Sequence, residues 1–216
     1  MVLSSGTGGV LLVAAVSQEM QDFRMGKERG VHCLVTGMGQ RAGELVRQRL
    51  TGGDIRLVVS TGFAGGTRPG FHVGDLVMAS EVIDAGTGER RRPEAVYYGL
   101  NGMASMGTFV TVNRVLTDPE TKAEAGTKYG AIAVDMETSA VAEAAEQAGV
   151  PWVAVRTILD PMETALAVGS GAEAVRCFWP PRRWKELAIF LYSLRVASKS
   201  LGEGLHLLVE RFRSQA

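Results

Sequence analysis

Short unbroken apolar runs alternate with amphipathic stretches along this chain. Val10–Val16 is apolar throughout, the mark of a strand covered on both faces. His32–Thr36, Ile55–Thr61, Gly107–Val112, Ala131–Val134 and Trp152–Thr157 read the same way, and a longer strand follows the tight turn at Gly74-Asp75. Between them lie stretches of helical composition: Gln18–Met25, Gln40–Leu50, Asp118–Ala125 with Pro119 at its first position, and Met136–Ala148 stopped by Gly149. From Trp184 to Arg213 the period is helical, with a break expected at Gly202–Gly204. The polar segment GTGERRRPEAVYYGLNG, broken by Pro93, reads as a loop.

Buried strands alternating with helices predict an α/β fold, a three-layer αβα sandwich around a mixed, mostly parallel sheet. With 216 residues and no internal repeat, one domain over 1–216 is expected, with a C-terminal helical segment at about 184–213. In such sheets ligands gather at the carboxyl ends of strands. Five polar or Gly-rich clusters fall there: Ser17-Gln18-Glu19, Gly37-Met38-Gly39, Thr61-Gly62-Phe63, Asp135-Met136-Glu137 and Asp160.

Composition narrows the function classes. Lys and Arg together equal Asp and Glu at 23 each, so a broad basic face for nucleic acid is not expected. The first apolar run lacks a basic flank and is too short to span a bilayer, and no other stretch is long enough to be a transmembrane segment. Cys33 and Cys177 stand far apart and read as reduced, buried thiols of a cytoplasmic protein. His32, His72 and His206 show no metal-ligand spacing, so no metal is expected.

Each candidate motif has a plain structural explanation and a functional one. STGFAGG (Ser60–Gly66) is a Gly-rich turn after a strand, a simple loop or a place where a ligand approaches free backbone N–H groups. Its glycine spacing is not that of a dinucleotide-binding turn, which argues against an oxidoreductase. In VDMETSAV, Asp135 can cap the next helix and Glu137 can sit in its first turn. That leaves Met136, either core filler or an apolar wall against a sugar or base. In VAVRTILDP, Asp160 is either a turn-starting Asp or a partly desolvated acid able to donate a proton. Arg156, inside the same strand pattern, needs an acidic partner if buried. Glu19 alone reads as a solvated helix residue, and Arg90-Arg91-Arg92 as a solvated loop within reach of an anion.

Together STGFAGG…HVGDLV, AVDMETSAVA and VPWVAVRTILD resemble the nucleoside phosphorylase and nucleosidase superfamily in order and spacing, from about Val10 to about Asp160. The chain is most similar to the version that includes methylthioadenosine/S-adenosylhomocysteine nucleosidases, futalosine hydrolase and the hopanoid-associated phosphorylases. DPMETALAVG and the tail after CFWPPRRW look most like the hopanoid-associated branch. The resemblance implies cleavage of the N-ribosidic bond of a 5′-substituted purine nucleoside, a small-molecule partner. It implies that Asp160 protonates the base, Glu137 binds the ribose hydroxyls beside Met136, and Glu19 activates water. Thr61, Gly62, Phe63 and Gly65 would face the nucleophile, and the segment with Val115 and Leu116 would hold the base, with Met38 and Arg156 also at the site. No cofactor is implied beyond phosphate as co-substrate in phosphorolytic members, and a homodimer is expected. Two positions depart from the pattern: Phe63 replaces a small residue, and Leu159 stands where the nucleosidases commonly have Ser. The arginine set of the hexameric phosphorylases is missing, which favours hydrolysis. A nucleoside-binding protein without catalysis is the alternative that Phe63 and Leu159 suggest.

Overall fold

The computed structural model describes residues 8–165, apart from 21, 24–29, 40, 94–99 and 101, and residues 184–215. Eight strands are present among them: β1 (Gly9–Ala14), β2 (Val31–Val35), β3 (Ile55–Gly66), β4 (Leu76–Asp84), β5 (Arg90–Arg91), β6 (Ala104–Thr111), β7 (Ala131–Asp135) and β8 (Trp152–Asp160). The helices are α1 (Arg41–Leu50), α2 (Pro119–Tyr129), α3 (Thr138–Gln147) and α4 (Trp184–Gln215), with a one-turn 3-10 helix at Ser17–Met20.

The sheet is mixed, as expected. β1 pairs in parallel with β2 and β3, β3 with β8, and β6 with β4 and β7, whereas β3–β7, β4–β5 and β4–β8 are antiparallel. Because β8 joins β3 to β4, the strands β3, β7, β6, β4 and β8 close into a ring. Every residue of β1 is buried, which explains its unbroken apolar run. One face of the sheet packs Leu11, Val13, Val58 and Trp152 against Val46 of α1 and Val141 of α3. The other packs Leu12, Leu57, Val59 and Val155 against Leu201, Leu205 and Leu208 of α4. Helix α2 lies over β6 and β7 through Ala125, Val110 and Val134.

Several expectations are corrected. The Gly-rich stretch is not a turn: β3 runs on to Gly66, because Gly65 still pairs with Asp160 of β8 and Val134 of β7. Nor does α4 break at Gly202–Gly204. Those glycines let the helix approach closely, since a Cβ at Gly204 would lie 2.9 Å from Leu76 Cδ1. Of the expected helix Gln18–Met25, the described part is a 3-10 turn over Ser17–Met20, and Gln21, Arg24 and Met25 lie outside the described residues. Helix α2 is longer than expected, capped by Asp118, which accepts from Thr121 N at 2.8 Å, and ended by Gly130 in the left-handed conformation. The three arginines are not a free loop. Arg90 and Arg91 form β5 against β4, Arg90 and Arg92 both pair with Glu81, and Arg91 pairs with Glu146 of α3.

Among the described residues no helix is long and apolar enough to cross a membrane. His32 and His72 lie near Asp54 and Asp75, and the ring of His206 stacks on Phe23. Cys33 on β2 is half-buried rather than buried, and Cys177 lies outside the described residues.

Candidate active site

The strand ends converge as the topology requires. β1 hands the chain directly to the 3-10 turn that carries Glu19. The Glu19 side chain is buried, and its carboxylate folds back to accept N–H bonds from Ala15 (2.8 Å) and Val16 (3.0 Å) on Oε2 and from Phe63 (2.9 Å) on Oε1. A solvated surface role is therefore excluded. Three of about four acceptor positions are filled, leaving room for one more donor on Oε1. Burial raises its pKa, and the three N–H bonds and Arg156 only partly offset this. Gly62 makes the fold-back feasible. Its φ is +141°, and a Cβ there would collide with Oε1 of Glu19 and lie 2.7 Å from the carboxyl carbon.

The Asp-Met-Glu join divides its labour. Asp135 is buried and spent on the scaffold: Oδ1 accepts from Thr111 Oγ1 (2.8 Å) and Thr138 N (3.3 Å), and Oδ2 meets Thr138 Oγ1 and Arg156 Nη2 (2.9 Å). Arg156 also donates to Ser60 Oγ at 3.0 Å and Thr138 Oγ1 at 2.7 Å. The expected acidic partner of Arg156 is thus Asp135. Glu137 remains for the site. Its Oε1 accepts from Gly39 N at 3.0 Å, which brings the Gly37–Gly39 loop to the rim. Burial first, and Asp135 second, push its pKa to about 7.

Asp160 ends β8. Its Oδ2 lies 2.7 Å from Nζ of Lys122, and Oδ1 is buried without a hydrogen-bond partner. Burial pushes its pKa up to about 6 although Lys122 pulls it down.

Glu19, Glu137 and Asp160 share the wall of one cavity of about 360 Å³, within the range of small-molecule pockets. Met38, Phe63, Gly65, Val115, Leu116 and Met136 complete much of the lining. Thr61, Gly62 and Arg156 do not line it. Thr61 and Arg156 are buried within the sheet, and Gly62 lies beneath the Glu19 carboxylate. A larger open hollow of about 940 Å³ adjoins the cavity across Val112, Leu116 and Met136. It contains none of the three carboxylates, and so we place the chemistry in the smaller one.

Three contributors escaped sequence reasoning. Phe190 and Leu194 of α4 line the cavity; a position some thirty residues after β8 on another element carries no local signal. Lys122 did leave a trace. It stands three and four residues before Ala125 and Gly126, on the buried side of α2, where a lysine needs a reason.

A family model described as the phosphorylase superfamily matches residues 17–106 and 102–176. Among solved structures, Helicobacter pylori 5′-methylthioadenosine/S-adenosylhomocysteine nucleosidase superimposes with a TM-score of 0.71 at 15% identity, over 95% of this chain and 99% of that one. Futalosine hydrolase of Helicobacter pylori gives 0.71 at 15% identity, over 94% and 98%. A nucleosidase of the first type from Colwellia psychrerythraea, in complex with adenine, gives 0.71 at 20% identity, over 95% and 96%. Among curated protein sequences no relative matches.

Proposed function

This chain belongs to the phosphorylase superfamily, and from that premise we propose that its cavity cleaves the N-ribosidic bond of a 5′-substituted purine nucleoside. The observation that carries the reading is Asp160. It is a buried acid with a pKa pushed to about 6 and an unpartnered Oδ1, on the wall that also presents Glu137 and Glu19.

The chemistry follows from those positions. A purine is a poor leaving group until it is protonated, and a carboxylic acid whose pKa is raised towards neutrality can supply the proton. As the bond to C1′ lengthens, the sugar gains oxocarbenium character. Glu137 accepts hydrogen bonds from the ribose hydroxyls, and its negative charge favours that developing cation. Glu19, held by three backbone N–H groups, takes the proton of the attacking water. Val115, Leu116 and Met136 give the base and sugar apolar walls. The complex of the Colwellia relative with adenine supports a purine as the base.

Water is favoured over phosphate as nucleophile. Among the described residues of the cavity wall Arg114 is the one cation. Arg90, Arg91 and Arg92 are held by Glu81, Glu89 and Glu146 instead of facing it. The α4 side of the cavity is apolar, built from Phe63, Leu159, Phe190 and Leu194. That lining supports an adenosine with an apolar 5′ group, an adenosyl-hopanoid among them, ahead of methylthioadenosine, S-adenosylhomocysteine or futalosine. The reading includes a cytoplasmic homodimer, which sedimentation of the purified protein tests.

The direct test is chromatography of free base released from a panel of 5′-substituted adenosines, inosine and futalosine, with and without phosphate. Adenine release independent of phosphate is the expected result. Strict phosphate dependence would move the chain to phosphorolysis and remove Glu19 as base. Tight nucleoside binding with no base released would make it a binding protein.

A further inference from the structure

Lys122 is a buried cation on the cavity's acid that the chemistry above does not use. It is fully buried, and its ammonium reaches three acceptors: Asp160 Oδ2 at 2.7 Å, the Pro161 carbonyl at 3.0 Å and the Thr164 carbonyl at 2.6 Å. An ammonium has three N–H donors, so all are spent. The placement is built in. Asp118 and Pro119 start α2 one turn before Lys122, and one turn after it a Cβ at Gly126 would collide with the Thr67 carbonyl oxygen. Helix α2 is therefore seated hard against the end of β3, with Lys122 aimed at the end of β8.

A lysine in this position has a cost, since burying a charge is unfavourable unless it is paired and hydrogen-bonded. Two carbonyls alone would fix the turn after β8 without a charge; glutamine could serve them. The cationic choice acts on the third partner. Resting on the proposed function, we propose that Lys122 is the positioning residue of the general acid, occupying Oδ2 of Asp160 so that Oδ1 holds the proton and delivers it to the leaving base. Oδ1 is the oxygen left without a partner. During cleavage the C1′–N bond breaks with its electron pair going to the base, and the proton on Oδ1 passes to the base nitrogen. Water adds its hydroxyl to C1′ and its proton goes to Glu19. Lys122 keeps its protons throughout and stabilises the carboxylate left on Asp160. Without it, burial alone would make Asp160 a weaker acid.

The other charged groups around the cavity do not substitute. Asp135 at the end of β7 is tied to Arg156, Glu137 and Glu19 are acidic, and Arg114 of the loop after β6 is exposed. Lys122 is the charge that acts on Asp160.

The test compares wild type with Lys122→Met and Lys122→Gln, the second keeping donors for the two carbonyls. The Asp160 carboxyl is titrated by infrared difference spectroscopy, using Asp160→Asn as the subtraction, and kcat and KM for adenosine cleavage are followed against pH. In both variants the Asp160 titration moves up by about 1–3 pH units, the alkaline limb of kcat/KM moves with it, and kcat falls more than KM changes. An unmoved titration, with only a lowered Tm, makes Lys122 a structural residue and overturns the proposal. Lys122→Gln carries the test if Lys122→Met does not fold. The infrared readout needs no turnover, so a wild type that releases no base from any substrate defeats the proposed function separately.

Discussion

Gly62→Ala is the substitution whose outcome the geometry fixes most tightly. The backbone there sits at φ +141°, and the added methyl would strike the Glu19 carboxylate, with Oε1 in collision, the carboxyl carbon at 2.7 Å and Oε2 at 3.0 Å. Two costs are separable. Holding an alanine in that backbone region costs about 1–3 kcal/mol. Displacing Glu19 breaks its charge-assisted bond from Phe63 N, 2.9 Å long, which costs about 1.5–3 kcal/mol more. At about 2–4 °C per kcal/mol for a chain of this size, the variant should melt roughly 5–24 °C lower. In the proposed reaction base release should fall with it, because Glu19 would no longer stand where it activates water. A double-mutant cycle with Glu19→Ala isolates the second cost. In the Glu19→Ala background the clash is gone and only the backbone term remains, so Gly62→Ala should cost about 1.5–3 kcal/mol less there. Equal destabilisation in both backgrounds, measured by thermal and urea unfolding, would refute the account of why glycine is needed.

The remaining expectations concern the carboxylates and the α4 wall. Asp160→Asn and Glu137→Gln should each lower base release by about 10²-fold or more with circular dichroism spectra unchanged; retained turnover in both would remove the site assignment. In the proposed reaction Asp160 acts in its protonated form, so kcat/KM should decline as pH rises through about 6, read from a pH–rate profile. The same shift has a stability sign. The folded-state pKa lies above the ordinary carboxylate value, so the contribution is complete below about pH 4 and lost as pH rises through about 6. Asp160→Asn should therefore flatten the fall in Tm between those values. Phe190→Ala should weaken binding of apolar 5′-substituted adenosines by about tenfold, from the apolar area lost, and leave plain adenosine unchanged; calorimetric titration of both ligands decides it.

Much of this site was legible as chemistry placed at strand ends. Glu19, Asp135, Glu137 and Asp160 each follow an apolar run, and parallel strands bring such ends together whatever their separation in sequence. What a linear pattern does not carry is the distinction between a carboxylate that faces the ligand and one that serves the fold. Asp135 and Glu137 are two residues apart and both reach the cavity wall, yet the oxygens of one are consumed by Arg156, Thr111 and Thr138 whereas the other, among the described residues, accepts only from Gly39 N. The Gly-rich stretch misled for a related reason. Glycine ordinarily signals a turn, but here ladder bonds to β8 and β7 hold the segment extended, and Gly62 serves a side chain from another element. Lys122, Phe190 and Leu194 reach the Asp160 end of β8 or the cavity from helices, and their roles depend on how α2 and α4 are seated.

The buried polar groups of this fold divide into two sets. Arg156, Asp135, Ser60 and Thr138 form a cluster within the sheet layer, where the charge of Arg156 is matched by that of Asp135. Around the cavity the balance is left incomplete: Glu19, Glu137 and Asp160 share one wall, all three pKa values are raised, and Lys122 is in contact with only one of them. An incomplete balance is costly in a resting protein and useful to one that must bind a cation-like sugar while giving up a proton. The paired cluster reaches the cavity through Asp135, and Arg156, which does not line it, lowers the pKa of both Glu19 and Glu137. The arrangement keeps Glu19 and Glu137 closer to their ionised forms than burial alone would allow, while Lys122 does the same for Asp160.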